Sequence, residues 1–332
     1  MATHLYDNHG RRINYLRLAV TDRCNLRCFY CMPAHGIDYV PKRELMSYEE
    51  MKRIVTFLVS LGIEKVRITG GEPFARKDMM QFLWTISRIE KLKQINITTN
   101  GTLTRPLIPE LKKMGIHSVN LSLDTLDQDR FFQITRRDEF EQVMETFEQL
   151  LQHGISTKIN TVIMEGKNDE DILPMALLTK EYPVGVRFIE EMPFNGGGRH
   201  YAKLKWNHHR ILEELKNHFP GISKIPDPPF STSSNYKIPG HKGTVGIIAA
   251  FSRTFCGTCN RIRLTPQGML KTCLYDAGIF NIKELIREGA SDQRLKSIFL
   301  EALSKRAKNG FEAEEKRQLG VPVSESMSTI GG

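Results

Sequence analysis

Six short β-rich runs alternate with amphipathic stretches through the first two-thirds of the chain. The runs fall at residues 15–20, 65–70, 95–100, 118–124, 157–163 and 185–191, and the stretches between and after them at 47–61, 78–92, 104–114, 140–153, 169–181 and 206–219. Parallel strands need crossovers long enough for a helix, so this alternation predicts a parallel sheet with helices outside it. Ser47 and Glu50 form a capping-box pattern where the first amphipathic stretch begins. Six units fall short of the eight that close the usual barrel. The expected fold class is therefore α/β, a partial (β/α)6 TIM-like barrel, with a doubly wound open sheet as the structural rival.

The character changes near residue 221. Ile225-Pro226-Asp227-Pro228-Pro229 and Ser231-Thr232-Ser233-Ser234 read as a connection rather than a helix. Two further β-like runs follow, at 244–252 and 261–265, the second entering a Pro266-Gln267-Gly268 turn that signals a hairpin. The expected division is a core over residues 8–221 and a smaller antiparallel region over 222–332 that closes the barrel's open side.

The first ten residues have no apolar centre of the kind a signal peptide carries, and no apolar run approaches a membrane span. The expected location is cytoplasmic, where cysteines are more often metal ligands than disulfides. The net charge is +9, from 47 Lys and Arg against 38 Asp and Glu. That balance suits a polyanion, either nucleic acid or a nucleotide phosphate. There is no dense Lys/Arg tract or aromatic-interleaved basic stripe, which weighs against nucleic acid.

In a barrel the chemistry collects at the C-terminal strand ends. Cys24, Cys28 and Cys31, spaced C-x3-C-x2-C, follow the first run, and Gly70-Gly71-Glu72-Pro73 follows the second. Three thiolates can hold a cubane cluster by three of its four irons, leaving one iron open to a small molecule. A structural zinc site would need a fourth ligand, for which His35 is the best candidate.

Cys256, Cys259 and Cys273 form a second set, spaced C-x2-C-x13-C. Zinc would again need another ligand, and His241 is the distant possibility. Arg261 and Arg263 alternate on the β-like run between these cysteines and so share one face. Arg17 and Arg67 lie on the first and second runs, with Lys158 and Arg187 on the fifth and sixth. Buried strands seldom carry unpaired charge, so these cations should face a polar cavity and predict a strongly anionic substrate.

The first triad, the aromatic Tyr30 and the Gly-Gly-Glu-Pro loop together resemble the radical S-adenosylmethionine superfamily. That resemblance implies that the open iron chelates S-adenosylmethionine and that one-electron cleavage yields a 5′-deoxyadenosyl radical. It implies that Tyr30, Gly71, Ser122 and Met192 line the S-adenosylmethionine pocket.

A narrower resemblance rests on Leu16-Arg17-Leu18, Val66-Arg67-Ile68-Thr69, Thr98-Thr99-Asn100-Gly101, Asn120-Leu121-Ser122-Leu123-Asp124, Lys158-Ile159-Asn160, Arg187-Phe188-Ile189-Glu190-Glu191-Met192-Pro193-Phe194, the Asn260-Arg261-Ile262-Arg263 segment and the terminal Gly331-Gly332. From about residue 14 to the end, the chain resembles the GTP 3′,8-cyclase (MoaA) family of molybdenum cofactor synthesis.

The resemblance implies two [4Fe-4S] clusters, one on each cysteine set, with guanine held at the open iron of the second. It implies GTP contacts from Arg17, Arg67, Thr98, Lys158, Arg187, Arg261, Ile262 and Arg263, with Arg17 also catalytic. It further implies an external electron donor, product transfer to cyclic pyranopterin monophosphate synthase, and a homodimer or monomer that binds neither nucleic acid nor membrane. Asn195-Gly196-Gly197-Gly198 departs from the family's usual Asp-Gly-Asn after Phe194. The rival readings are a peptide-modifying radical enzyme with an auxiliary cluster and a zinc-stabilised nucleic-acid-binding protein.

Overall fold

The computed structural model describes residues 4–192, 194, 204–317 and 325–331. The departing stretch at 195–198, Pro193 and the terminal Gly332 lie outside the described residues. Each of the six β-rich runs forms a strand: β1 Tyr15–Ala19, β2 Lys65–Thr69, β3 Gln94–Thr99, β4 Ser118–Ser122, β5 Ser156–Ile163 and β6 Gly185–Glu190. They pair in chain order, every neighbour parallel.

Strands from beyond residue 221 extend the same sheet at both edges, two of them by parallel pairing and the rest antiparallel. Beyond β7, Ser234–Lys237, the strand β8, Thr244–Ile248, pairs parallel with β6. At the opposite edge β9, Arg261–Leu264, pairs parallel with β1. An unpaired sheet edge leaves a row of N–H and C=O groups to be satisfied, and both edges are satisfied by strands from beyond residue 221. Antiparallel pairs lie outside these, among them β7 with β8 and β10, Met269–Lys271, with β9 in the expected hairpin. The result is one mixed sheet of 12 strands with the short outermost ones included, and no pairing joins its two ends among the described residues.

Helices cover one face. The helix Tyr48–Ser60 carries the expected capping box: the Glu50 amide donates to Ser47 Oγ at 3.2 Å, and Glu50 Oε2 accepts from the Ser47 amide at 2.7 Å. The third amphipathic stretch is broken into a single turn, Arg105–Leu107, and a short helix, Ile108–Lys113, because Pro106 and Pro109 each remove an amide donor. An additional helix, Gln128–Thr135, is capped by Asp127, whose side chain accepts from the Arg130 amide at 2.7 Å.

Period-2 alternation sorts the strand residues. Leu16, Leu18, Val66, Ile68 and Ile97 turn to the helical side and join Ile54, Leu58 and Phe82 in one buried cluster. Val186, Phe188, Val245 and Ile247 do the same near the other edge with Met175 and Ile211. The residues between them face the opposite side of the sheet, and that side holds the cavity.

Candidate functional site

The cavity has a volume of about 460 Å³ and is lined by residues from β1 through β6 and from β9. Both cysteine sets border it, the first following β1 and the second flanking β9.

The first cysteine loop is held by the loops that follow β2 and β3. The Gly71 amide donates to the Thr21 carbonyl at 2.8 Å, and the Glu72 amide to the Arg23 carbonyl at 2.8 Å. A Cβ on Gly70 would stand 2.3 Å from the Thr21 carbonyl oxygen, and one on Gly71 would stand 2.2 Å from that of Arg23. These glycines therefore permit two backbones to touch. Glu72 is fully buried and accepts from Thr99 Oγ1 at 2.9 Å and from the amides of Asn100 and Phe74 at 2.7 and 3.1 Å. Burial nonetheless raises its carboxyl to about 7. Asn100 then reaches back to Asn25 Oδ1 at 2.9 Å and Cys24 Sγ at 3.6 Å. Tyr30 donates to Asp124 Oδ2 at 2.9 Å, and burial lifts that carboxyl to about 6.

Cation rows cross the cavity floor. Arg263 pairs with Arg17, and Arg17 with Arg67, so three guanidinium-bearing residues stand abreast on β9, β1 and β2. One row toward the strand beginnings, Arg261, Tyr15 and Lys65 are aligned in the same way. Across the sheet, Thr98, Asn120 and Lys158 share a row, and Asn160 stands opposite Arg187. Like charges side by side in a buried place weaken one another's protonation. Burial, then Arg187 and Arg67, brings Lys158 down to about 8. Burial and Arg67 bring Arg187 to about 10, and burial and Arg261 do the same to Arg263. Burial and Arg263 hold Arg17 well below its ordinary value. At Tyr15 burial acts in the opposite sense but is outweighed by Arg67, Arg17 and Lys65, which draw the phenol down to about 7. The site is thus built for a ligand of several negative charges.

The thiols fit a cluster that would ionise them. Burial, with Glu72 next, pushes Cys24 up to about 12, and burial also raises Cys28, Cys31 and Cys273. Such groups become thiolates when metal takes the place of the proton. Among the described residues no three His, Cys, Asp or Glu side chains gather closely enough for a single metal ion. A multi-iron cluster, whose thiolates bind separate irons, needs no such convergence. Cys259 differs from the others: burial raises it, but Arg261 and Arg306 outweigh burial and bring it to about 6.

The C-terminal tail also enters the cavity, where Met327 and Ser328 form part of the wall. Ser326 Oγ donates to the Cys31 carbonyl at 2.7 Å, and Arg263 donates to the Gly331 carbonyl at 2.7 Å. Gly331 has φ +75°, and a Cβ there would meet Ala19 and Thr69 at 3.0 Å.

Of the residues singled out in the sequence, Arg17, Tyr30, Arg67, Gly71, Thr98, Ser122, Lys158, Arg187, Met192, Arg261, Arg263 and all six cysteines border this one cavity. Ile262 is turned away, 1% exposed, into the core beneath β9. The sequence reading passed over Tyr15, Lys65 and Asn160, each two positions from a residue it singled out, and strand alternation could have found them. Arg306, whose contacts reach Cys259 from elsewhere in the chain, carries no local signal.

Residues 18–179 match the model of the Radical SAM superfamily, and residues 184–312 match that of Molybdenum Cofactor Synthesis C. The GTP 3′,8-cyclase of Desulforamulus reducens is 39% identical over 330 residues, covering 99% of this chain and 100% of that protein. Molybdenum cofactor biosynthesis protein 1 of Homo sapiens is 39% identical over 303 residues, covering 91% of this chain and 48% of that protein. The chain spans about half the length of the animal relatives it matches. In fold, it is similar to Streptococcus suis SuiB, crystallised with S-adenosylmethionine, at a TM-score of 0.62 and 16% identity over 88% of this chain and 69% of that one.

Proposed function

Because the chain belongs to the GTP 3′,8-cyclase family of radical S-adenosylmethionine proteins, we propose that it is a lyase that cyclises GTP to (8S)-3′,8-cyclo-7,8-dihydroguanosine 5′-triphosphate, opening molybdenum cofactor synthesis. The observation that carries this reading is the row Arg263, Arg17 and Arg67 in a cavity bordered by one cysteine triad on the β1 loop and another around β9. A triphosphate offers these buried cations anionic partners, through charge-assisted and often bidentate bonds.

Cys24, Cys28 and Cys31 would hold one [4Fe-4S] cluster and Cys256, Cys259 and Cys273 the other. Reduction of the first in the presence of S-adenosylmethionine supplies a deoxyadenosyl radical able to take the C3′ hydrogen of GTP. The chain's own residues bind, orient and enclose. Tyr30, kept in place by Asp124, would pack with Gly71, Ser122 and Met192 around S-adenosylmethionine. Arg17, Arg67, Lys158, Arg187, Arg261 and Arg263 would neutralise the phosphates, with Thr98 and the Ile262 main chain completing the pocket. Arg67 is already oriented, donating to the Tyr15 hydroxyl at 2.8 Å and the Ile97 carbonyl at 3.1 Å. Fixing a reactant against the radical source lowers the entropy cost of the encounter.

The same reading gives the sheet the curl of a partial barrel, supported by side chains from both β9 and β6 facing one cavity. Residues 8–221 would make the radical and residues 222–332 would hold the guanine end. The enzyme would work in the cytoplasm, as a monomer or homodimer. It would draw electrons from an external donor and pass its product to cyclic pyranopterin monophosphate synthase. With reductant and S-adenosylmethionine under strict anaerobiosis, GTP is expected to support deoxyadenosine formation and ATP is not; equal turnover of the two removes the guanine assignment.

A further inference from the structure

Arg306 is 2% exposed, does not border the cavity, and bonds on both sides of the second cysteine set. Its Nη2 donates to Cys259 Sγ at 3.1 Å and to the Arg261 carbonyl at 3.0 Å, and its Nη1 donates to the Cys259 carbonyl at 3.1 Å. Its Nε donates to the carbonyl of Thr272, beside Cys273, at 3.0 Å. Asp7, whose side chain is fully buried, fixes the guanidinium from behind at 3.0 Å and also pairs with Arg11, which donates to the Cys256 carbonyl at 2.9 Å.

The first cysteine set has different polar neighbours. Its sulfurs have uncharged side-chain groups at hydrogen-bond range, Asn100 Nδ2 beside Cys24 at 3.6 Å, Ser326 Oγ beside Cys31 at 3.9 Å and the Tyr30 hydroxyl beside Cys28. Two buried carboxyls lie beside that set, Glu72 accepting from the amide of Asn100, whose side chain bonds Cys24, and Asp124 accepting from Tyr30. A hydrogen bond or positive charge at a ligand sulfur favours the reduced, more negative state of a cluster and raises its potential.

On the two-cluster reading above, we propose that Arg306 is a positioning residue that raises the reduction potential of the second cluster above that of the first. It acts through the Cys259 sulfur, from the side away from substrate. It also ties the loop of Cys256 and Cys259 to the strand end that carries Cys273. The two sites would then differ in potential because the Arg306 guanidinium bonds a sulfur of the second set from outside the cavity.

The test is a redox titration followed by electron paramagnetic resonance on the anaerobically reconstituted full chain. Iron and acid-labile sulfide are counted for each preparation. The first cluster's signal is recognised by its change on adding S-adenosylmethionine, the second by its change on adding GTP. The expected result is that the GTP-responsive signal titrates at the higher potential in the unaltered protein. Arg306→Gln should shift it to lower potential and leave the other signal in place, and Arg306→Lys should give a smaller shift in the same direction. An unshifted midpoint in Arg306→Gln with full iron overturns the proposal. If Arg306→Gln loses the second cluster, Arg306→Lys decides by the same criterion. Loss of that cluster in both variants overturns tuning in favour of a purely structural clamp. A wild-type protein with iron for one cluster refutes the two-cluster reading itself, a different failure.

Discussion

Arg17 stands between Arg263 and Arg67, and a bound anion would offset the mutual repulsion of the three buried cations. Arg17→Ala is expected to keep both clusters and lose product, with GTP affinity down by roughly 30-fold or more, as about 2 kcal/mol of a buried charge contact implies. Normal product yield from this variant contradicts a catalytic role for Arg17. Lys158 gives a pH test. Its ammonium is held down to about 8 in the free protein, burial first and Arg187 next, and a bound triphosphate stabilises the protonated form. GTP binding is therefore linked to proton uptake, and affinity should fall as pH rises through about 8; a flat binding profile from pH 7 to 9.5 counts against this cation as a phosphate ligand. The stability sign is opposite. The unfolded chain binds this proton up to its ordinary value of 10.5, so burying Lys158 costs stability at neutral pH and the cost fades between about 8 and 10.5. Lys158→Met should melt higher than wild type at pH 7 without nucleotide and gain less from added GTP.

The elements show which sequence signals decide local structure. Strand alternation placed both the core and the cations: Phe188 is buried on the helical side of β6 while its neighbour Arg187 faces the cavity. Phe188→Ala is expected to cost about 3–5 kcal/mol in denaturant unfolding, as large-to-small changes in a packed core do. The loop after β2 carries a different lesson. The missing Cβ atoms of Gly70 and Gly71 make room for the cysteine loop that packs against them. Gly71→Ala would push against the Arg23 carbonyl and is expected to lose the first cluster's iron while the second remains. Cys273→Ser should do the reverse, and full iron in either protein removes the corresponding assignment. Helix Gln128–Thr135 was not legible because its eight residues are too few for a clear periodic signal.

At the scale of the whole molecule, the β-strand and helix order was legible because parallel pairing and crossover helices leave a periodic trace. The destination of the last third was not. Residues 244–248 and 261–264 read as local β-structure, and nothing in their own pattern says that one joins β6 and the other β1. That choice is made by two distant sheet edges in need of partners. It has a functional consequence, because β9 brings Arg261, Arg263 and the second cysteine set to the same cavity as β1 and the first set. Arg306, from beyond the helix Asp292–Ser304, was beyond reach for the same reason: its partners are tertiary. The central claim is that one cavity joins a radical source to a cation-lined nucleotide seat. It is tested most directly by incubating the anaerobically reconstituted protein with GTP, S-adenosylmethionine and reductant and measuring the cyclised nucleotide and deoxyadenosine together. The account expects both products to form in matched amounts and neither without GTP. Deoxyadenosine released at the same rate without GTP, with no cyclised nucleotide, contradicts it.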